Sequence, residues 1–181
     1  MDKKIFVAGA TGATGRHLVN QLLERGHQVK AVVRSTSRVP ENIRSHENLT
    51  LVEASLLDLS DAEMAQHVQD CDAIASCLGH TPTMKGMFGP PRKLVTEAVR
   101  RLCQVAASSQ PQQPVRFVLM NTTGNRNRDL DEPQMFKEKL MVTLLRLLLP
   151  PQVDNEKAAE ALRTEIGQNH PTIERVAVRP D

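Results

Sequence analysis

Three glycines stand at three-residue spacing near the start of this chain, Gly9, Gly12 and Gly15, within KKIFVAGATGATGRHLVNQLLERG. Glycine in that pattern lets a backbone turn tightly and come close to an anion that a side chain would hold off. The flanking residues say which anion. Ile5–Ala8 is a short apolar run that reads as a buried strand, and Leu18, Val19, Leu22 and Leu23 recur at helical period until Gly26. A strand, a glycine turn and a helix in that order hold a dinucleotide pyrophosphate, because the helix start supplies unpaired N–H groups and a positive dipole end. Gly9 then serves the tight turn, Gly12 the close approach, and Gly15 the packing of helix on strand.

The second chemical signal is VVRSTSR, at the end of the next strand. A protein that binds NAD usually places Asp or Glu there for the ribose 2′-hydroxyl. Here the position holds Arg34, with Ser35 and Arg38 beside it. A guanidinium matches a 2′-phosphate through its planar fork, so these residues point to NADP(H); a surface arginine at a strand end is the bland alternative.

These groups need elements to position them. Six strands are expected, at Ile5–Ala8, Gln28–Arg34, Leu49–Ala54, Ala73–Leu78, Val115–Asn121 and Thr172–Val178. Helical patterns lie between them at Ser60–Val68, Pro91–Ala107 and Asp154–Gly167. The alternation predicts an α/β fold of the Rossmann type, a doubly wound parallel sheet with helices on both faces, as a single domain over 1–181. Ligands in such sheets sit beyond the carboxyl ends of the strands. That rule gathers Gly9–Gly15, Arg34–Arg38, Ser55–Leu57, Leu78–His80, Asn121–Gly124 and Arg179–Asp181 at one edge.

Residues 125–151 are the irregular part: a polar insert, then a strongly apolar helix over Met135–Leu149 that Pro150 and Pro151 are expected to stop. With so many leucines, the 140–149 stretch is expected to cover the site as a flap, to meet a second copy or a protein partner, or to pack as an ordinary helix. It is too short to span a bilayer and carries Arg146.

The chain has 181 residues, enough for one sizeable core, and a net charge of +2 that gives no case for nucleic acid or a membrane surface. Cys71, Cys77 and Cys103 cannot all pair with one another and match no zinc spacing, so buried thiols in a cytoplasmic protein are expected, with no metal.

GATGATG, the strand ending in VVR, the LG after the fourth strand and VDNEKAAEALRTEIGQNHPTIERVAVRP together resemble the atypical short-chain dehydrogenase/reductase family. The nearest flavour is its NAD(P)-binding, NmrA-like group, which is similar to small NADPH-dependent flavin and biliverdin reductases. The resemblance implies that Gly9, Thr11, Gly12, Ala13, Thr14 and Gly15 surround the pyrophosphate, and that Ser55 and Leu56 lie by the adenine, although the family often has Asp where this chain has Ser55. It implies that Cys77, Leu78, Gly79 and His80 follow the cofactor ribose. Asn121, Thr122 and Thr123 fall where the family's reductases keep a Ser or Thr, and Lys157 matches the lysine that holds the nicotinamide ribose. Lys157 and Thr123 are therefore the catalytic candidates.

One departure bears on mechanism. The family's active enzymes commonly use Tyr-x-x-x-Lys, but four residues before Lys157 stands Val153, and the chain has no tyrosine at all. The usual proton exchange at a carbonyl is therefore lost. Two functions stay open: an NADP(H)-dependent oxidoreductase whose conjugated or carbonyl acceptor takes its proton elsewhere, or an NADP(H)-sensing regulator that binds a protein partner. His80, after a strand in the expected cleft, is either an acid or a plain loop or cofactor-contact residue.

Overall fold

The computed structural model describes residues 2–122, 125, 129 and 136–179. Its six strands are β1 (Lys4–Ala8), β2 (Gln28–Val33), β3 (Leu49–Glu53), β4 (Ala73–Ser76), β5 (Val115–Met120) and β6 (Ile173–Val178). They form one parallel sheet in the order β3-β2-β1-β4-β5-β6. Every strand expected from the sequence is present; β1 begins one residue earlier, at Lys4, and the other five are each trimmed by one or two residues. The order reverses direction between β1 and β4, so a crevice opens beyond their carboxyl ends.

The helices are α1 (Ala13–Glu24), α2 (Glu41–Arg44), α3 (Asp61–Val68), α4 (Met84–Phe88), α5 (Leu94–Ser108), α6 (Phe136–Leu148) and α7 (Pro150–Ala161). β1 shows how they cover both faces. Ile5 and Val7 pack with Val19 and Leu23 of α1, while Phe6 and Ala8 pack with Met64 of α3 and Val99 and Leu102 of α5. Both faces of the strand are thus dry, which is why its sequence is an unbroken apolar run rather than an alternating one. α3 is set by its own sequence: the Ser60 hydroxyl accepts from Glu63 N–H at 3.2 Å, and Glu63 accepts from Ser60 N–H at 2.8 Å.

Three local expectations are corrected. Pro150 and Pro151 do not merely end the apolar helix; they form the first turn of α7, where a missing N–H costs nothing. α7 therefore starts four residues earlier than Asp154, and it gives way to a π-helical turn over Leu162–Ile166 before Gly167, at φ 70°, ends it. α5 begins at Leu94 rather than Pro91. The short α2 and α4 carry no periodic signal long enough to be read from sequence.

Arg175, a charge at a strand position on β6, is paired rather than stranded. It donates to Gly167 O at 2.7 Å and lies 3.4 Å from Asp129 Oδ2. Along α6, Leu140, Met141, Leu144, Leu147 and Leu148 are each more than half exposed, while Val142 is buried. Among the described residues no helix is long and apolar enough to cross a membrane, and no group of acidic, His and Cys residues could hold a metal ion.

Candidate functional site

A cleft of about 740 Å³ runs along the carboxyl ends of the strands, across the point where the strand order reverses. The glycine turn after β1 stands in the middle. The ends of β2 and β3 form one half, and the ends of β4 and β5 with α7 form the other.

The turn is built for close approach. Gly9 has φ +81°, and a Cβ there would lie 2.6 Å from Cys77 O, on the loop after β4. A Cβ on Gly15 would lie 2.1 Å from Gly9 O, so α1 can sit this close to β1 only without one. Gly15 is accordingly buried beneath the turn, outside the cleft lining, as its packing role requires. Gly12 is the N-cap of α1 and brings no side chain to the first-turn N–H groups. Those groups, with Thr11, Ala13 and Thr14 lining the cleft, form an open anion cradle.

In the β2/β3 half, Arg34 and Arg38 both line the cleft, and neither guanidinium has a hydrogen bond or ion pair among the described residues. Ser55 and Leu56 join them there, whereas Ser35 does not: its hydroxyl lies 2.9 Å from that of Ser37, away from the lining. Two unpaired guanidiniums on a concave wall are a receptor for a further anion.

The β4/β5 half brings together Cys77, Leu78, Gly79, His80, Asn121 and Thr122, as expected. It adds Asn155 from α7, a residue the sequence did not single out. Asn121 ties the strand end to that helix by donating to Asn155 O at 3.4 Å, and it accepts from Thr122 N–H at 2.8 Å. The Thr122 hydroxyl is buried without a partner of its own among the described residues. Thr123 lies outside the described residues. Lys157 is not brought to the cleft; it is exposed on α7, two residues past Asn155. Arg179 likewise stays away from the lining and donates to Asn125 O at 2.9 Å. Its strand, β6, lies at the sheet edge beyond β5.

His80 reaches the cleft wall, but its ring is spent on structure. Nε2 lies 2.8 Å from Asp154 Oδ2 and Nδ1 lies 3.1 Å from Gly86 O, with the side chain 4% exposed. A carbonyl oxygen only accepts, so Nδ1 carries a hydrogen toward Gly86 and neither nitrogen is free for a ligand. Asp154, also missed in sequence, is 2% exposed and accepts from Val95 N–H, Thr96 N–H and the Thr96 hydroxyl at 2.6–3.1 Å. Burial pushes the Cys77 thiol up, leaving it neutral.

The glycine cradle and the open helix start fit a dinucleotide pyrophosphate, and comparison with known proteins agrees. A family model described as NAD(P)H-binding matches residues 9–173. The chain belongs to that NAD(P)H-binding family. Its similarity to a chloroplastic protein of Arabidopsis thaliana, At2g34460, is 38% identity over 80 residues, covering 44% of this chain and 29% of that one. To the 3-beta-hydroxysteroid dehydrogenase of Mycolicibacterium neoaurum it is 39% over 62 residues, 34% of this chain and 16% of the relative. The chain thus matches less than a third of the length of these relatives. Among solved structures, the Bordetella bronchiseptica enzyme WbmH in complex with NAD+ superposes with a TM-score of 0.68 at 21% identity, over 99% of this chain and 56% of WbmH. That likeness is one of fold, and it accords with the atypical short-chain dehydrogenase/reductase resemblance.

Proposed function

We propose that this member of the NAD(P)H-binding family is an NADP(H)-dependent oxidoreductase that reduces a small conjugated or carbonyl acceptor without a catalytic tyrosine. One observation carries the cofactor choice: Arg34 and Arg38 line the β2/β3 half of the cleft with no acidic partner among the described residues. A 2′-phosphate would satisfy both. Gly9, Thr11, Gly12, Ala13 and Thr14 would hold the pyrophosphate, Ser55 and Leu56 the adenine, and Cys77, Leu78, Gly79, Asn121 and Thr122 the ribose half, with His80 shaping the wall beside them. The bound nicotinamide supplies the hydride chemistry.

What the chain itself supplies at that end is position, not a proton. Asn121, Thr122 and Asn155 offer neutral hydrogen-bonding groups, the His80 nitrogens are both engaged, and the Cys77 thiol is held neutral. Thr123, next to Thr122 in sequence, is proposed to orient the acceptor by a hydrogen bond. An acceptor that takes its proton from solvent suits this wall: a flavin, a quinone or a linear tetrapyrrole. The three free thiols suit a reducing compartment such as the cytoplasm. An oxidoreductase among the relatives supports the reaction class.

The exposed leucines of α6 favour a second reading, an NADP(H)-sensing regulator that docks a protein partner or a second copy there. NADPH oxidation over a panel of flavins, quinones and aldehydes separates the two. Turnover on one class supports the oxidoreductase; tight NADPH binding with no turnover on any acceptor supports the sensor. Titrating NADPH and NADH into the Arg34→Asp variant tests the cofactor choice, with NADPH preference expected to fall about tenfold or more.

A further inference from the structure

We infer that Glu53, at the end of β3, is a positioning residue that sets selectivity for NADP(H) over NAD(H) by holding the turn between Arg34 and Arg38. The inference rests on the NADP(H) reading and asks why two arginines on a short surface loop should be ready for a phosphate.

The loop after β2 carries one 3₁₀ turn over Thr36–Arg38, with Arg34 two residues before it and Arg38 as its last residue. Glu53 stands beside Val33 in the β2–β3 register, so the end of β3 lies under that loop. One carboxylate oxygen, Oε2, accepts both from Thr36 N–H at 2.9 Å and from the Thr36 hydroxyl at 2.8 Å. These two bonds hold the Glu53 carboxyl below the usual carboxylate range, so it is an ionised acceptor at neutral pH. The far end of the loop is clamped independently. Arg44 donates to Val39 O at 2.8 Å and Ser37 O at 3.3 Å, and Val39 and Ile43 are buried in the core on the α1 side.

Among the described residues the Arg34 and Arg38 guanidiniums are therefore left without partners, on a backbone tied down on both sides. A loop already ordered loses less freedom when it binds, and the gain appears only for a ligand that the arginines touch. NADPH carries the 2′-phosphate and NADH does not. Removing the tie should weaken NADPH and leave NADH unchanged.

Because both bonds go to a single oxygen, Glu53→Gln keeps an acceptor there and Glu53→Ala does not. Titrate NADPH and NADH into the unmodified chain and into Glu53→Gln, Glu53→Ala, Thr36→Val and Arg34→Ala, with thermal midpoints measured alongside. Glu53→Ala is expected to lower NADPH affinity about two- to tenfold at constant NADH affinity. Glu53→Gln should keep most of the preference, and Thr36→Val, which retains the N–H, should fall between them. An unchanged or raised NADPH preference in Glu53→Ala, while Arg34→Ala loses it, overturns the role of Glu53 alone. Equal affinity of the unmodified chain for the two cofactors overturns the NADP(H) reading and this inference with it.

Discussion

Asp154 Oδ2 and His80 Nε2 lie 2.8 Å apart, joining α7 to the loop after β4 across 74 residues of sequence. The same carboxylate receives Val95 N–H and Thr96 N–H, the second and third residues of α5. Asp154 thus does for α5 what an N-cap side chain does, but from another helix, and Lys93 at the cap position contributes no side-chain bond. One buried acid fixes α5, α7 and the cleft wall together.

Asp154→Asn is expected to be damaging although it is isosteric. The carboxylate meets donors on both oxygens, and an amide would turn its own N–H groups toward some of them. The expected loss is about 2–5 kcal/mol of stability, measured by urea unfolding. A cost below about 0.5 kcal/mol would show that this cluster does not hold the wall.

The glycines of the cleft should differ sharply in tolerance. Gly15→Ala places a methyl 2.1 Å from Gly9 O and should abolish measurable NADPH binding with a lowered thermal midpoint. At Gly79 nothing lies within 4 Å of an added Cβ, so Gly79→Ala should fold with a nearly normal thermal midpoint. Equal behaviour of the two variants would contradict the close packing of α1 on β1.

Lys157→Ala and Asn155→Ala separate the family's lysine from the residue that faces the cleft. Asn155 lines the cleft and Lys157 is exposed outside it. Lys157→Ala should leave NADPH affinity within about twofold, the size of an ordinary surface change, while Asn155→Ala lowers it further. Fluorescence titration of NADPH decides between them.

Stability should fall at alkaline pH. Burial raises Cys103 from 9.0 to about 12, and it raises Cys71 and Cys77 as well. The unfolded thiols ionise first, so this stabilisation is intact below pH 9.0 and is lost as pH climbs toward about 12. At the acid end Glu53 and Glu63 have lowered values, so their contribution is present above 4.5 and disappears as pH drops below it. Urea midpoints across pH for Cys103→Val and Glu63→Gln should show a shallower alkaline limb and a shallower acid limb respectively.

The sheet was legible because its strands are buried on both faces and read as short apolar runs punctuated by glycine and proline. The cradle was legible because a glycine whose Cβ would strike backbone leaves a mark in sequence wherever it falls. α2 and α4 were not, being too short for a period to show. Asp154 was hidden for another reason: its partners Val95 and Thr96 lie more than fifty residues away, and a lone acid in a helical pattern looks like solvated surface.

By itself the sequence determined the doubly wound fold, the pyrophosphate cradle, the arginines after β2 and the absence of any phenol to donate a proton. Those are local properties of residue type and spacing. The tertiary structure decided which residues of α7 line the cleft. Two positions along a helix differ by about 200° in direction, so when Asp154, Ala158 and Ala161 turn to the core, Asn155 falls on the cleft side and Lys157 on the other. Helix phase is set by what the helix packs against, and that is the part of the site that spacing alone leaves open.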